Sequence, residues 1–413
     1  MNSYAWIILA FLLLDYVLGT AADVLNLKNI RDELPEEFAN VWDKERYAAS
    51  QQYLAATTRL GLVASTVFLA AMLVFWFAGG FDYTDRLARS LGWGSVFTGL
   101  VFYAILAILS NFLSTGFSLY STFVIEERFG FNKTTLKTYI LDRIKMLALA
   151  VVLGGPIIGG ILFFLGQAGP HAWIYCWMGV TVFILLIQMV APTWIMPLFN
   201  KFLPLENEEI KEAVLGYTRS VDFPLDNLFM MDGSKRSAKS NAFFAGFGKR
   251  RRIALFDTLI EKHTIEELVA VVAHEVGHYK KKHIIVNMGI SILHLGFMFF
   301  LLSLFISRQG LFDAFFMEQA SVYAGLLFFG LLYTPVETVL GIGLSMLSRK
   351  NEYEADRFAV TTTGNPRAMV DALKKLSRDN LSNLWPHPFY VFLNYSHPPV
   401  LDRIRAIERV GKD

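Results

Sequence analysis

His274-Glu275-Val276-Gly277-His278, followed from 284 to 307 by a long apolar run, is the stretch on which the reading of this chain turns. Two histidines four apart on a helix lie on one face, a turn apart. That spacing lets both imidazoles reach one zinc ion, with the intervening glutamate beside the metal's open position as a general base. The five-letter string also arises by chance, so its surroundings decide what it means.

Those surroundings are mostly membrane. Of 413 residues 54% are hydrophobic and only 18% charged, with a mean hydropathy of +0.41, whereas a soluble domain carries about 25% charge. Runs long enough to cross ~30 Å of hydrocarbon fall at 4–21, 61–81, 93–119, 147–168, 171–198, 284–307 and 319–347. Several carry no charge at all, which argues against buried helices of a large soluble core. The expected fold is an all-α membrane protein of seven transmembrane helices, with a small, mostly helical metalloprotease domain carrying a short β-sheet. Net charge is +2 and no basic stripe points to nucleic acid. The single cysteine, Cys176, lies in an apolar run and excludes a disulfide framework.

No lysine or arginine precedes Lys28, and Asp15 interrupts the first run, so an uncleaved anchor is expected despite the small residues Gly19 to Ala22. Lysine and arginine set the orientation. One side of the membrane holds only Arg86, Arg89 and Arg308, and the other holds 35 of the 38. The N-terminus is therefore expected outside, with the HEVGH segment and the C-terminal tail in the cytosol. A bacterial inner membrane and the endoplasmic reticulum fit equally. Nothing in the sequence marks an oligomer.

The chain divides into spans one to five (1–198, with a cytosolic loop at 22–60), a cytosolic insert (199–283), spans six and seven (284–347) and a C-terminal segment (348–413). Within the insert, Glu206 to Ser220 reads as an amphipathic helix. Leu228 to Met231 and Arg252 to Phe256 are bounded apolar runs that predict strands, and Asn241 to Gly248 predicts a strand near the cleft. Thr264 can N-cap the next helix, and Glu267 closes a capping box. His274 and His278 then fall in the interior of that helix.

A catalytic zinc wants a third protein ligand and one position left for water. Directly after the last span comes Asn351-Glu352-Tyr353-Glu354-Ala355-Asp356. Glu352 and Asp356 share a helical face and Glu354 points away from it. Glu352 as third ligand, with Asp356 accepting a ligand histidine's free N–H, completes a site of the thermolysin type; Glu354 is the alternative ligand. Glu275 would polarise the zinc-bound water, whose pKa zinc brings to ~7, and hand its proton to the leaving amine. His397 and Arg403, in the proline-stiffened stretch His397-Pro398-Pro399, are candidates for oxyanion support.

Taken together, these residues resemble the type I CAAX prenyl protease family, integral-membrane zinc metalloproteases. Further strings carry the likeness: Phe123 to Lys133, Pro197 to Phe202, Ser240-Asn241-Ala242-Phe243, Ile253 to Leu259 and Ser396-His397-Pro398-Pro399. The resemblance implies seven helices around a water-filled chamber, capped at the cytosolic end by the zinc domain. It implies one zinc per chain on His274, His278 and Glu352, with Glu275 as base and Asp356 as supporting acid. His397 with Arg403 would stabilise the tetrahedral intermediate. Asn241 and Ala242 would lie on a strand that pairs with the substrate backbone. Arg128-Phe129 departs from the lysine and histidine expected there, which touches local contacts and not the chemistry.

Asn111, Gln188, Asn287, His294 and Glu337 lie within spans and are expected to face the interior, His294 more simply through a helix–helix hydrogen bond. His263 and His283 read as solvated residues flanking the catalytic helix. The function expected is zinc-dependent hydrolysis near the C-terminus of membrane-associated proteins, with or without prenylation, the other partner being the lipid bilayer. A broad quality-control membrane protease shares all of this chemistry. A transporter or channel with a structural metal site is the non-enzyme alternative.

Overall fold

The computed structural model describes residues 1–410 except Pro224, Asp226 and 246–251. Seven helices are long and apolar enough to cross a bilayer: Ser3–Lys28, Lys44–Phe77, Ser95–Glu126, Leu136–Gln167, Gly169–Leu198, His283–Phe305 and Val322–Thr363. There is one for each expected span, and several outlast their apolar runs. The second begins at Lys44, where the Asp43 side chain accepts from the Arg46 N–H at 2.6 Å. The seventh continues through the charged stretch 348–363, which holds neither glycine nor proline, until Gly364 at φ 64° ends it. The residues that follow the last apolar run thus ride on the same rod as the span itself. Single π-helical turns interrupt the third, fourth and fifth spans at Ser121–Glu126, Ala150–Gly154 and Ala191–Ile195.

Two buried clusters close the ends of this array. One gathers Ile8, Trp76, Phe102, Leu162 and Phe328 with Phe315 from the connection between the sixth and seventh spans. The other joins Phe38, Tyr47 and Phe131 to the insert and the C-terminal helices. Between them no residue of 9–21, 51–75, 103–124, 132–161, 177–204, 284–295 or 334–350 is buried. A close-packed bundle buries one face of each helix along its length. Here the helices stand apart between two plugged ends and enclose a hollow. Asn111, Gln188, Asn287 and Glu337 are exposed rather than packed between helices. His294 bonds Tyr333 on the seventh helix at 3.0 Å, the interhelical contact expected of it.

The insert folds on the second cluster. Strands β1 (Phe202–Pro204), β2 (Asn227–Met231), β3 (Ala242–Ala245) and β4 (Arg252–Phe256) form one sheet in the order β1-β2-β4-β3. β2 and β4 run parallel, and β3 lies antiparallel to β4 at the edge. β1 adds a strand the sequence did not announce. Of the strand expected at 241–248, residues 246–248 lie outside the described residues. The helix Ile265–Lys280 starts on the expected capping box, the Glu267 N–H donating to Thr264 and the Thr264 N–H to Glu267 Oε2 at 3.0 Å. Its Leu268, Val272 and Val276 pack with Ile253 and Leu255 of the sheet and Ile404 of the last helix, Val400–Val410.

The two flanking histidines are not solvated. His263 and His283 are 8% and 5% exposed, because the helix ends fold back onto packed surfaces. His263 donates from Nδ1 to the Leu259 carbonyl at 3.0 Å, and burial holds its pKa below the ordinary 6.5. It is neutral when folded and gains its proton on unfolding, so stability is unaffected above pH 6.5 and declines as pH falls from there towards the lowered folded value. The melting temperature of wild type is expected to drop more between pH 7.5 and 5.5 than that of His263→Gln; equal drops would refute this.

Candidate metal centre

The HEVGH helix lies against the seventh helix at its closest where glycine permits. A Cβ on Gly277 would meet the Ala355 backbone at 3.1 Å and the Phe358 Cβ at 3.3 Å, so this position keeps the two helices close enough for their polar groups to meet. His274 and His278 face Glu352 across that contact. One ligand atom from each lies within 4.8 Å of the others. The two Nε2 atoms are 3.1 Å apart, and Glu352 reaches 3.4 Å from His274 Nε2 and 3.2 Å from His278 Nε2. Glu352 is 3% exposed.

Asp356, one turn on, sits 2.8 Å from His274 Nδ1. As a carboxylate it accepts, so Nδ1 carries a proton, and a metal ion would take the place of the proton on Nε2, which faces Glu352 and His278. Arg403 grips Asp356 with two nitrogens, Nε at 2.8 Å and Nη2 at 2.6 Å, and brings Nη1 within 3.2 Å of Glu352. His397 is the exposed member, 3.4 Å from Glu352 through Nε2. Asn241 is exposed and its backbone carbonyl accepts from Phe256; Ala242 opens β3 opposite Leu255. His274, His278, Glu352, Asp356, Arg403 and His397 thus meet at one place, while Asn241 and Ala242 lie at the start of the sheet's edge strand.

Burial raises the Glu275 carboxyl above its usual range. At His274 burial disfavours the imidazolium, but the hydrogen bonds it donates to Asp356 and Glu352 outweigh it and lift the pKa to about 9. The cause is an excess of negative charge. Glu352 and Asp356 share a single guanidinium, which leaves negative charge for a cation to balance. The donor set, two imidazole nitrogens and a carboxylate oxygen, suits zinc. Glu352 Oε2 is buried without a well-formed hydrogen bond, as a ligand oxygen would be. The residues fit a bound metal.

Sequence reasoning missed the surroundings of His278. Its Nδ1 lies 3.1 Å from His283 Nδ1, and His283 Nε2 lies 3.2 Å from Glu354 Oε2. A histidine five residues beyond the motif, just past the helix end, was the available signal.

Fold and centre define a multi-pass membrane protein with a His-His-carboxylate cluster able to hold a metal at one end of a hollow helical array. Residues 23–201 match the CAAX prenyl protease N-terminal family, described as five membrane helices, and residues 204–410 match peptidase family M48. The Probable CAAX prenyl protease 1 of Schizosaccharomyces pombe is 36% identical, covering 92% of this chain and 83% of its own. The CAAX prenyl protease 1 of Saccharomyces cerevisiae is 34% identical over 92% and 89% of the two chains, and the Homo sapiens homolog 32% over 91% and 88%. The crystal structure of S. mikatae Ste24p superposes with a TM-score of 0.93 at 32% identity, over 99% of this chain and 100% of that one. The chain belongs to peptidase family M48, in its CAAX prenyl protease branch. It is a membrane metallopeptidase whose seven helices enclose a chamber.

Proposed function

We propose that this chain is a zinc endopeptidase that cuts near the C-terminus of prenylated CAAX-type proteins, holding one zinc per chain on His274, His278 and Glu352. The observation that carries the reading is the convergence of those three side chains within 4.8 Å of one another. Bound there, zinc supplies the Lewis acidity that lowers a water's pKa to ~7 and polarises a carbonyl.

The chain's own residues do the rest. The Glu275 carboxylate takes the proton of the attacking water and delivers it to the leaving amine nitrogen. Asp356 keeps the His274 proton on Nδ1, and Arg403 holds Asp356 and Glu352 in place. His397, exposed with Nε2 toward the site, is placed to donate to the developing oxyanion, and Arg403 lends its positive charge to the same region. Asn241 and Ala242 offer the free edge of β3 to an extended substrate, which pairs by main-chain hydrogen bonds. The uneven distribution of lysine and arginine supports a cytosolic active-site face.

The test is cleavage by the purified protein of matched farnesylated and unmodified peptides, with and without a chelator. Chelator-sensitive cleavage that favours the farnesylated peptide is expected. Cleavage untouched by metal removal would overturn the mechanism, and equal rates on both peptides would overturn the prenylated substrate class.

A further inference from the structure

We propose that His283 and Glu354 are positioning residues that set the tautomer and ring angle of His278, so that both imidazoles of the centre are held from behind by carboxylates of the same helix. The inference deepens the metal reading above and rests on it.

For His274 the arrangement is direct, with Nδ1 against Asp356. His278 has no carboxylate against its Nδ1; it has the Nδ1 of His283 at 3.1 Å. Two ring nitrogens at that separation need one proton between them, and geometry alone leaves open which ring supplies it. Glu354 decides. Its carboxylate only accepts, so His283 Nε2, 3.2 Å away, is the donor to it. A neutral His283 protonated at Nε2 has a lone pair on Nδ1. It therefore accepts the Nδ1–H of His278, and His278 Nε2 is left with the lone pair that faces Glu352 at 3.2 Å. The chain Glu354–His283–His278 thus does through an inserted imidazole what Asp356 does for His274 in one step.

The backbone is built for this contact. The HEVGH helix stops at Lys280, and Lys282 takes φ 62°, a left-handed conformation lysine rarely adopts. That residue turns the chain so that His283 opens the sixth span and folds back over His278, their rings 5.2 Å apart and steeply inclined. His283 is buried; Glu354 is half exposed and also faces Lys350, 3.7 Å away. The seventh helix therefore contributes at positions 352, 354 and 356 one proposed ligand and the two acceptors that orient the other ligands.

The full-length protein in detergent, loaded with zinc, is titrated with a chelator of known affinity. His283→Leu is expected to weaken zinc retention by about 10- to 100-fold. His283→Asn, whose amide oxygen can accept from His278, is expected to recover most of that loss. Glu354→Ala, at an exposed position, tests the outer link if His283→Leu fails to fold, with about a tenfold loss expected. A merely structural role would lower the melting temperature and leave the zinc dissociation constant unchanged. Zinc affinities of His283→Leu and Glu354→Ala within about twofold of wild type overturn the proposal, as does His283→Asn no better than His283→Leu. His278→Ala is the control. If it too retains zinc, the ligand assignment itself has failed; if it alone loses zinc, only the relay has.

Discussion

Glu275→Gln is expected to retain a full complement of metal and to lose about two to four orders of magnitude in turnover. The amide keeps the size and burial of the carboxyl and cannot take up a proton. Glu275 is not among the side chains whose donor atoms converge, so the metal has no reason to leave. Because base and metal act on one water, little activity survives the loss of either. Metal analysis alongside single-turnover cleavage checks both halves. Full activity would refute the base, and loss of metal would make Glu275 a structural member of the site.

The second large effect is Glu352→Ala. Two imidazoles without a carboxylate make a poor site, and no other described His, Cys, Asp or Glu joins the cluster. Metal content is expected to fall to background and cleavage to cease, while Arg403 keeps its two bonds to Asp356 and the local fold persists. If the variant holds metal as tightly as wild type, the assignment fails and Glu354 inherits the role.

Much of this was legible because it is local. The four-residue spacing of His274 and His278, the capping box on Thr264 and Glu267, and the shared face of Glu352 and Asp356 all follow from helix geometry. That the two helices meet is not local. It depends on Gly277 lying against the Ala355 backbone, and no periodicity connects residues 78 positions apart; the family likeness supplied that pairing. β1 escaped notice because three residues ending in Pro204 are too short for an alternation to register. His283 read as solvated because hydropathy cannot see a left-handed turn at Lys282 folding it inward. The hollow came from the family likeness and not from periodicity, since helix faces toward lipid and toward an internal space are both exposed. The apolar run also ended at 347 while the helix did not, because nothing in 348–363 breaks it.

That unbroken seventh helix fixes a length scale. Met346, more than half exposed, lies near the end of the apolar run at 347, and Glu352 follows six positions later. At a helical rise of 1.5 Å per residue the proposed ligand Glu352 stands roughly 9 Å along the helix from Met346, a reach of about three extended residues. For the lipid-anchored substrate proposed above, a very short leash would suffice. Selection by leash length then works before any side chain is read.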